Sequence, residues 1–185
     1  MGKQKDGTEA AAGFGCINRR AFLFASGATV GGTVLLTGVP GMGKQAVEAR
    51  VSRYPRMFVE NMSRLVLNEP VRFKYPDKGR NSNSILVKMG EPAGGGIGAD
   101  RNIVAFNTLC THMGGEMGKT FQASHAVLGP CPFHQSTFDL TRHGMIVSGH
   151  ATESLPQVLL EVEGDDIYAV GLIGLIYGRY DNLKG

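Results

Sequence analysis

The sequence predicts a mainly β protein, because its apolar residues fall in short runs that glycine and polar residues separate. The runs are residues 84–89, 103–109 and 145–148. Residues 158–162 alternate between apolar and polar side chains, an acidic turn follows, and residues 167–170 return, which predicts a hairpin. Many short strands joined by glycine-containing turns favour a β-sandwich or a barrel.

The segment between the first two runs is rich in glycine. Residues 90–100 include Gly94-Gly95-Gly96 and cannot form the interior of a helix, so we expect an exposed loop. No Lys-Ser or Lys-Thr pair follows these glycines, which excludes a phosphate-binding loop of the usual kind. A short helix is expected either at residues 45–53 or at residues 115–120.

The N-terminal part has the order of an export signal. Arg19-Arg20 precede an uncharged, glycine-rich stretch, and the first charge after them is Lys44. This pattern resembles a twin-arginine signal, with a cleavage site after Ala49, and predicts a periplasmic protein. The alternative is a retained membrane anchor, since the uncharged run just reaches the ~20 residues that span a bilayer. Its many glycines favour export with cleavage.

Length and charge fit one small domain behind that signal. We therefore predict a signal segment at residues 1–49 and a single domain at residues 50–185. The 185-residue chain has a formal net charge of only +3. No basic run interleaved with aromatic residues is present, so we expect no nucleic-acid partner.

Two short clusters carry the chemistry that the sequence reveals. Residues 110–112 read Cys-Thr-His and residues 131–134 read Cys-Pro-Phe-His, so each cluster pairs one cysteine with one histidine. Two thiolates and two imidazoles suit a site with one sulfur-ligated and one nitrogen-ligated metal. A zinc site is the main alternative, but zinc spacing usually groups the cysteines together and the histidines together.

The mixed clusters resemble the Rieske family, in which two histidines replace two cysteines on one iron of a [2Fe–2S] cluster. The resemblance implies that Cys110 and Cys131 hold the buried iron and that His112 and His134 hold the outer iron. It also implies stacked antiparallel sheets with a small inserted cluster-binding subdomain, which we place at about residues 103–150. The gap between the two motifs is about one residue longer than the family pattern.

Two neighbouring positions resemble residues that tune the cluster in this family. Ser136 matches a serine whose hydroxyl donates to a cluster sulfur. Phe138 stands where high-potential respiratory Rieske proteins carry a tyrosine. Loss of that phenol removes a hydrogen-bond donor to the cysteine sulfur, so we expect a lower reduction potential than in those proteins.

Two further positions depart from the respiratory pattern. Gly115 and Phe133 stand where those proteins usually carry a second pair of cysteines, which form a disulfide between the loops. The chain has only Cys16, Cys110 and Cys131, so that bridge cannot form. We expect Phe133 to pack over the space left at Gly115 and to replace the crosslink by apolar contact.

The C-terminal half, together with the signal, resembles the small subunit of arsenite oxidase. The most specific segments are residues 131–144, 151–157 and 174–179. The resemblance implies a heterodimer with a molybdopterin large subunit that oxidises arsenite and also holds a [3Fe–4S] cluster. Electrons would pass through the Rieske centre of this chain to a cytochrome c or a small copper protein, and this chain would carry no catalytic residue.

Three other assignments remain open from the sequence. A cytochrome bc-type Rieske subunit is disfavoured by the missing disulfide and by Phe138. A dioxygenase-type ferredoxin would be cytoplasmic and would not need Arg19-Arg20. A zinc-stabilised periplasmic binding domain would have no redox role. His125, His143 and His150 are expected to be surface or hydrogen-bonded histidines.

Overall fold

The computed structural model describes residues 53–184, which form two antiparallel sheets. The strands are β1 (Met57–Asn61), β2 (Val71–Lys74), β3 (Asn83–Lys88), β4 (Ile103–Asn107), β5 (Phe121–Gln122), β6 (Val127–Leu128), β7 (Thr137–Asp139), β8 (Met145–Ser148), β9 (Gln157–Glu163) and β10 (Asp166–Ile173). Short 3₁₀ helices lie at Met62–Arg64, Arg80–Ser82, Ala123–His125 and Leu140–Arg142. Within this part of the chain, no helix has the length and apolar character to cross a membrane.

The larger sheet has six strands in the order β1-β10-β9-β4-β3-β2, and the smaller sheet has four in the order β5-β6-β7-β8. Strand β4 is the centre of the larger sheet, and all five of its residues are buried. Its side chains alternate between the two faces. Val104 and Phe106 enter one core, while Ile103 and Ala105 enter another on the opposite face.

The first of these cores joins the two sheets. Leu128 of β6 and Phe138 of β7 are fully buried together with Phe106 of β4. Full burial of one such side chain stabilises the fold by about 1.5–3 kcal/mol. The small sheet therefore stays fixed on the large one, and the loops at its end acquire a rigid support.

Most of the strand predictions are confirmed. The runs at 84–89, 103–109 and 145–148 correspond to β3, β4 and β8, each within two residues. The predicted hairpin is β9 and β10, which pair from Glu163 with Asp166 to Gln157 with Ile173. Strand β4 belongs to the larger sheet, although the sequence placed residues from 103 onward in the inserted subdomain.

The helix predicted at residues 115–120 is wrong. Glu116 instead forms a β-bridge with Leu109, and its carboxylate accepts the backbone N–H of Gly118 at 2.8 Å, which closes a tight turn. Glycines on both sides of Glu116 lower the helix propensity further. The alternative helix at 45–53, the export signal and its cleavage site lie outside the described residues, apart from Arg53, which is not helical.

The loop predicted at residues 90–100 is confirmed as irregular structure, but its exposure is only partial. Ala93 is buried in the first core, and Ile97 pairs with Ile103. A Cβ added at Gly94 would lie 2.5 Å from Nε2 of His143, so this glycine allows a close approach to a neighbouring side chain.

Candidate metal centre

Two loops that carry the predicted ligands have the same backbone hydrogen bonds. In the first loop, residues 110–115, the N–H of Cys110 donates to the carbonyl of Gly115 at 2.9 Å, and the N–H of Gly114 donates to the carbonyl of Cys110 at 2.8 Å. In the second loop, residues 131–136, the N–H of Cys131 donates to the carbonyl of Ser136 at 2.8 Å. Each loop thus closes on its own cysteine.

The matching bond in the second loop runs from the N–H of Gln135 to the carbonyl of Cys131 at 3.0 Å. In both loops, the residue four positions after the cysteine has a left-handed backbone: φ is 70° at Gly114 and 63° at Gln135. Glycine adopts this conformation without steric cost, and Gln135 is held in it by the loop hydrogen bonds. The two cysteines therefore begin loops of equivalent shape.

The two thiols are buried beside each other. Cys110 and Cys131 are each 1% exposed and lie in the first core. Burial raises the pKa of the Cys110 thiol, and the neighbouring Cys131 side chain raises it further, whereas the backbone N–H of His112 opposes the rise. Two buried thiolates need a compensating positive charge, which the iron of an iron–sulfur cluster would supply.

The two predicted histidine ligands are also in contact. The rings of His112 and His134 have centroids 4.6 Å apart and planes at 82°. The Nδ1 atom of His112 is buried, with no hydrogen-bond partner among the described residues. An unpaired buried nitrogen costs about 1–3 kcal/mol, so this atom suits a metal bond. His134 is exposed, which places the imidazole side of the site towards solvent.

The predicted ligands separate into a pair of buried thiols and a pair of imidazoles in contact with each other. Within residues 53–184, no three His, Cys, Asp or Glu side chains converge as a single metal ion would require. A [2Fe–2S] cluster instead takes two thiolates on one iron and two imidazoles on the other.

Comparison with known proteins decides the family. Residues 58–159 match the family described as "Rieske [2Fe-2S] domain". This chain belongs to the Rieske family. The matched region contains every predicted ligand and most of both sheets. Together with the fold, the match establishes a Rieske-type [2Fe–2S] cluster as the cofactor.

Two relatives of this Rieske chain are similar over almost their whole length. The chain is 54% identical to iodate reductase subunit IdrB of Denitromonas iodatirespirans, over 92% of this chain and 89% of that protein. It is 53% identical to iodate reductase subunit IdrB of Pseudomonas sp. (strain SCT), over 91% of this chain and 85% of that protein. The chain is therefore a Rieske electron-transfer subunit of an oxidoreductase. Neither relative is named as an arsenite oxidase subunit.

A solved structure supports the predicted fold. The chain is similar to the soluble domain of Rieske protein II from Sulfolobus acidocaldarius, with a TM-score of 0.60 and 25% identity. The likeness covers 69% of this chain and 82% of that chain. The predicted fold class, mainly β with antiparallel Rieske-type sheets, is thereby confirmed.

Ser136, the last residue of the second loop, contacts a third loop, residues 149–155, that follows β8. Its side chain is fully buried, and Oγ accepts the backbone N–H groups of His150 and Ala151, each at 3.1 Å. Because both lone pairs are used, the hydroxyl proton is left to donate, and Ser136 lowers the pKa of the Cys110 thiol. The role of Ser136 as a donor to a Rieske sulfur stays a prediction.

Phe133 and Phe138 occupy different environments. A Cβ added at Gly115 would lie 3.3 Å from Cδ2 of Phe133 and 2.6 Å from Sγ of Cys131, so the Phe133 ring does lie over Gly115. The ring nevertheless remains 59% exposed, so its contact is lateral rather than buried. Phe138 is fully buried in the core that also contains both cysteines.

Sequence reasoning missed one histidine at the Rieske site. His125 is exposed and Nδ1 of His143 lies 2.8 Å from Oε1 of Gln157, as expected for surface or hydrogen-bonded histidines. His150 is exposed too, but its ring stacks near His112 with centroids 5.7 Å apart. The signal in the sequence was its position two residues after a predicted strand. The pairing of β8 with β7 brings the third loop, and with it His150, to the site.

Proposed function

We propose that this chain is the Rieske electron-transfer subunit of an oxidoreductase of the iodate reductase type. The observation that carries the proposal is the identity of 54% over 92% of the chain with an iodate reductase subunit. Residues 58–159 match the Rieske family as a whole. The similarity to the iodate reductase subunit extends beyond these residues. Shared sequence outside the common domain favours a shared partner.

Within this proposal, Cys110 and Cys131 hold one iron, and His112 and His134 hold the other. The two buried thiols and the unpaired Nδ1 of His112 support the assignment. When bound, the cluster supplies one-electron transfer. The protein keeps water from the thiolate side by burial in the first core and leaves the imidazole side open to a redox partner.

Within this proposal, the catalytic site belongs to a large partner subunit. The resemblance of this chain to the arsenite oxidase small subunit implies that the large subunit holds a molybdopterin centre. Reduction of iodate to iodide consumes six electrons and six protons and releases three water molecules. A one-electron carrier therefore delivers electrons singly to the large subunit. The electron source is a cytochrome c or a small copper protein.

Arsenite oxidase is the second candidate. It is favoured by the resemblance at residues 131–144, 151–157 and 174–179. In that case electrons would flow the other way, from arsenite at the large subunit through this chain to a cytochrome c or a small copper protein. The two candidates share the cofactor and the ligands and differ in substrate and in the direction of electron flow.

We also propose that the chain works in the periplasm after twin-arginine export. The proposal rests on Arg19-Arg20 and the uncharged stretch that follows. Replacement of both arginines by lysine should trap the protein in the cytoplasm, as cell fractionation would measure. Unchanged periplasmic recovery of that variant would contradict this route. The mass of the exported chain would distinguish cleavage after Ala49 from a retained anchor.

The decisive experiment uses the full chain purified with whatever binds to it. A rhombic EPR signal of the dithionite-reduced protein with average g near ~1.9 would identify mixed His/Cys ligation. The same preparation is assayed with iodate and a reduced dye, and with arsenite and an oxidised dye. Turnover of iodate with a molybdenum-containing large chain supports the first proposal, whereas turnover of arsenite alone supports the second.

A ligand variant separates the role of this chain from that of its partner. Cys131→Ser should abolish the EPR signal and stop iodate reduction driven by a protein donor. A small dye that reaches the large subunit directly should still drive the reaction. The matched control is Ser124→Ala, at an exposed position outside the three loops. If the protein donor still drove the Cys131→Ser complex, this chain would not carry the electrons.

A further inference from the structure

A C-terminal segment beyond the matched Rieske region is anchored by a buried arginine. We call residues 174–182 the strap; it follows β10 and lies outside residues 58–159. The Arg179 side chain is only 3% exposed and donates to Asp77 at 2.7 and 3.1 Å and to Oγ of Ser82 at 2.8 Å. It also donates to the carbonyl of Asn182 at 2.7 Å. The strap is therefore tied to the loop before β3.

Asn182 fixes the other side of the strap. Its Oδ1 accepts the N–H of Ile176 at 2.9 Å, and its Nδ2 donates to the carbonyl of Gly174 at 2.8 Å. Ile176 itself is fully buried in the core on the far face of β4. These bonds hold the backbone on both sides of Tyr177, which leaves that residue little freedom to move.

The Tyr177 side chain packs against the first loop of the metal centre. Nδ2 of Asn81 donates to the Tyr177 carbonyl at 3.0 Å, so the backbone at this point is also fixed. A Cβ added at Gly114 would lie 2.5 Å from Cδ1 and 2.7 Å from Cε1 of the Tyr177 ring. The ring thus fills the space beside the left-handed Gly114, whose N–H closes the first loop on Cys110.

We infer that the strap, through Tyr177, is a positioning element that holds the first loop in the shape its ligands require. The inference rests on the proposed ligand roles of Cys110 and His112. Without the ring, Gly114 would gain access to other backbone conformations, because glycine is restricted by little except its neighbours. The first loop is also joined to the third loop, because Oγ1 of Thr111 donates to the carbonyl of Glu153 at 2.7 Å.

The test compares three variants of the full chain, purified with its partner subunit where that co-purifies. Tyr177→Ala removes the ring, Tyr177→Phe retains it, and Tyr180→Ala removes the ring of a tyrosine in the same strap that is 83% exposed. The readouts are the EPR line shape of the reduced protein and the rate of iron loss to a chelator. Neither depends on enzymatic turnover.

We expect Tyr177→Ala to broaden the EPR lines and to accelerate iron loss several-fold, because the first loop would open locally more often. Tyr177→Phe and Tyr180→Ala should match the unmodified chain. The inference is overturned if Tyr177→Ala leaves both readouts unchanged or if Tyr180→Ala alters them equally. A chain without any Rieske EPR signal would overturn the ligand assignment instead.

A further variant tests whether the effect of Tyr177 passes through Gly114. Gly114→Ala places a methyl group against the Tyr177 ring, so it should accelerate iron loss more in the unmodified chain than in the Tyr177→Ala chain. The backbone strain of alanine at φ 70° is common to both chains and cancels in the comparison. Equal effects in both chains would show that the ring does not act on the loop.

Discussion

The Phe133 ring lies across Gly115, so that the second loop of the metal centre covers the backbone of the first. A Cβ at position 115 would come within 3.3 Å of the ring and within 2.6 Å of Sγ of Cys131. The glycine is therefore required for the close approach of the two loops, and not for an unusual backbone angle. This relationship makes both residues direct targets for mutation.

Gly115→Ala should reduce cluster occupancy, because the new methyl group collides with the sulfur of Cys131. The iron content per chain and the visible absorption of the purified protein measure the effect. Gly90→Ala is the matched control, since a Cβ there meets nothing within 4 Å. Full iron content in Gly115→Ala would mean that the loops can separate without loss of the cluster.

Phe133→Ala should have little effect on folding but a clear effect on the cluster. The side chain is 59% exposed, so its loss should lower the free energy of unfolding by about 1 kcal/mol or less. Iron loss to a chelator should nevertheless be faster, because the ring shields Gly115 and Cys131. Phe58→Ala, at a ring that is 53% exposed on β1, is the control. An unchanged rate of iron loss would refute the idea that Phe133 substitutes for a crosslink.

Phe138→Tyr should raise the reduction potential. Phe138 is fully buried in the core of the two cysteines, where a phenol could donate to a sulfur and stabilise the reduced cluster. One such hydrogen bond contributes about 0.5–1.5 kcal/mol, which corresponds to roughly 20–65 mV for one electron. Redox titration followed by EPR measures the shift. Phe121→Tyr, at the edge of the same core, should leave the potential unchanged.

The Asp77–Arg179 pair should make folding stability depend on acid pH. The Arg179 guanidinium holds the pKa of Asp77 well below its usual range, and Ser82 and the Gly79 N–H act in the same direction. The folded chain therefore binds fewer protons than the unfolded chain. The contribution is complete above about pH 5 and is lost as the pH falls through the depressed pKa.

Asp77→Asn should remove this acid dependence and lower the free energy of unfolding at neutral pH by about 1–2 kcal/mol. The value stays modest because Asp77 is 39% exposed and water screens the pair. Urea unfolding between pH 2 and pH 7 measures both effects. Asp181→Asn removes a carboxylate from the longer ion pair with Lys184, in which nitrogen and oxygen lie 3.8 Å apart, and is the control. Parallel pH profiles for Asp77→Asn and the unmodified chain would contradict the assignment.

Much of the fold can be predicted from local sequence. The strands that were not predicted are the short ones, whose residues show no pattern of their own. The central strand β4 and the hairpin of β9 and β10 have apolar runs long enough to recognise. Strands β5 and β6 contain two residues each, which is too short for any alternation to appear. They are strands because β6 pairs with β5 on one side and with β7 on the other, and because the first core covers them.

The sequence by itself determined the chemistry of the metal centre, because ligand type and spacing within each loop are local properties. Residues 110–115 and 131–136 each close on their own cysteine with bonds that span five positions or fewer. Only the tertiary structure decided which distant residues support them. His150 stacks on His112, and Tyr177 packs on Gly114 across 63 positions. Such contacts depend on sheet pairing and on the ion pair of Asp77 with the buried Arg179. No local pattern in the sequence links these two residues.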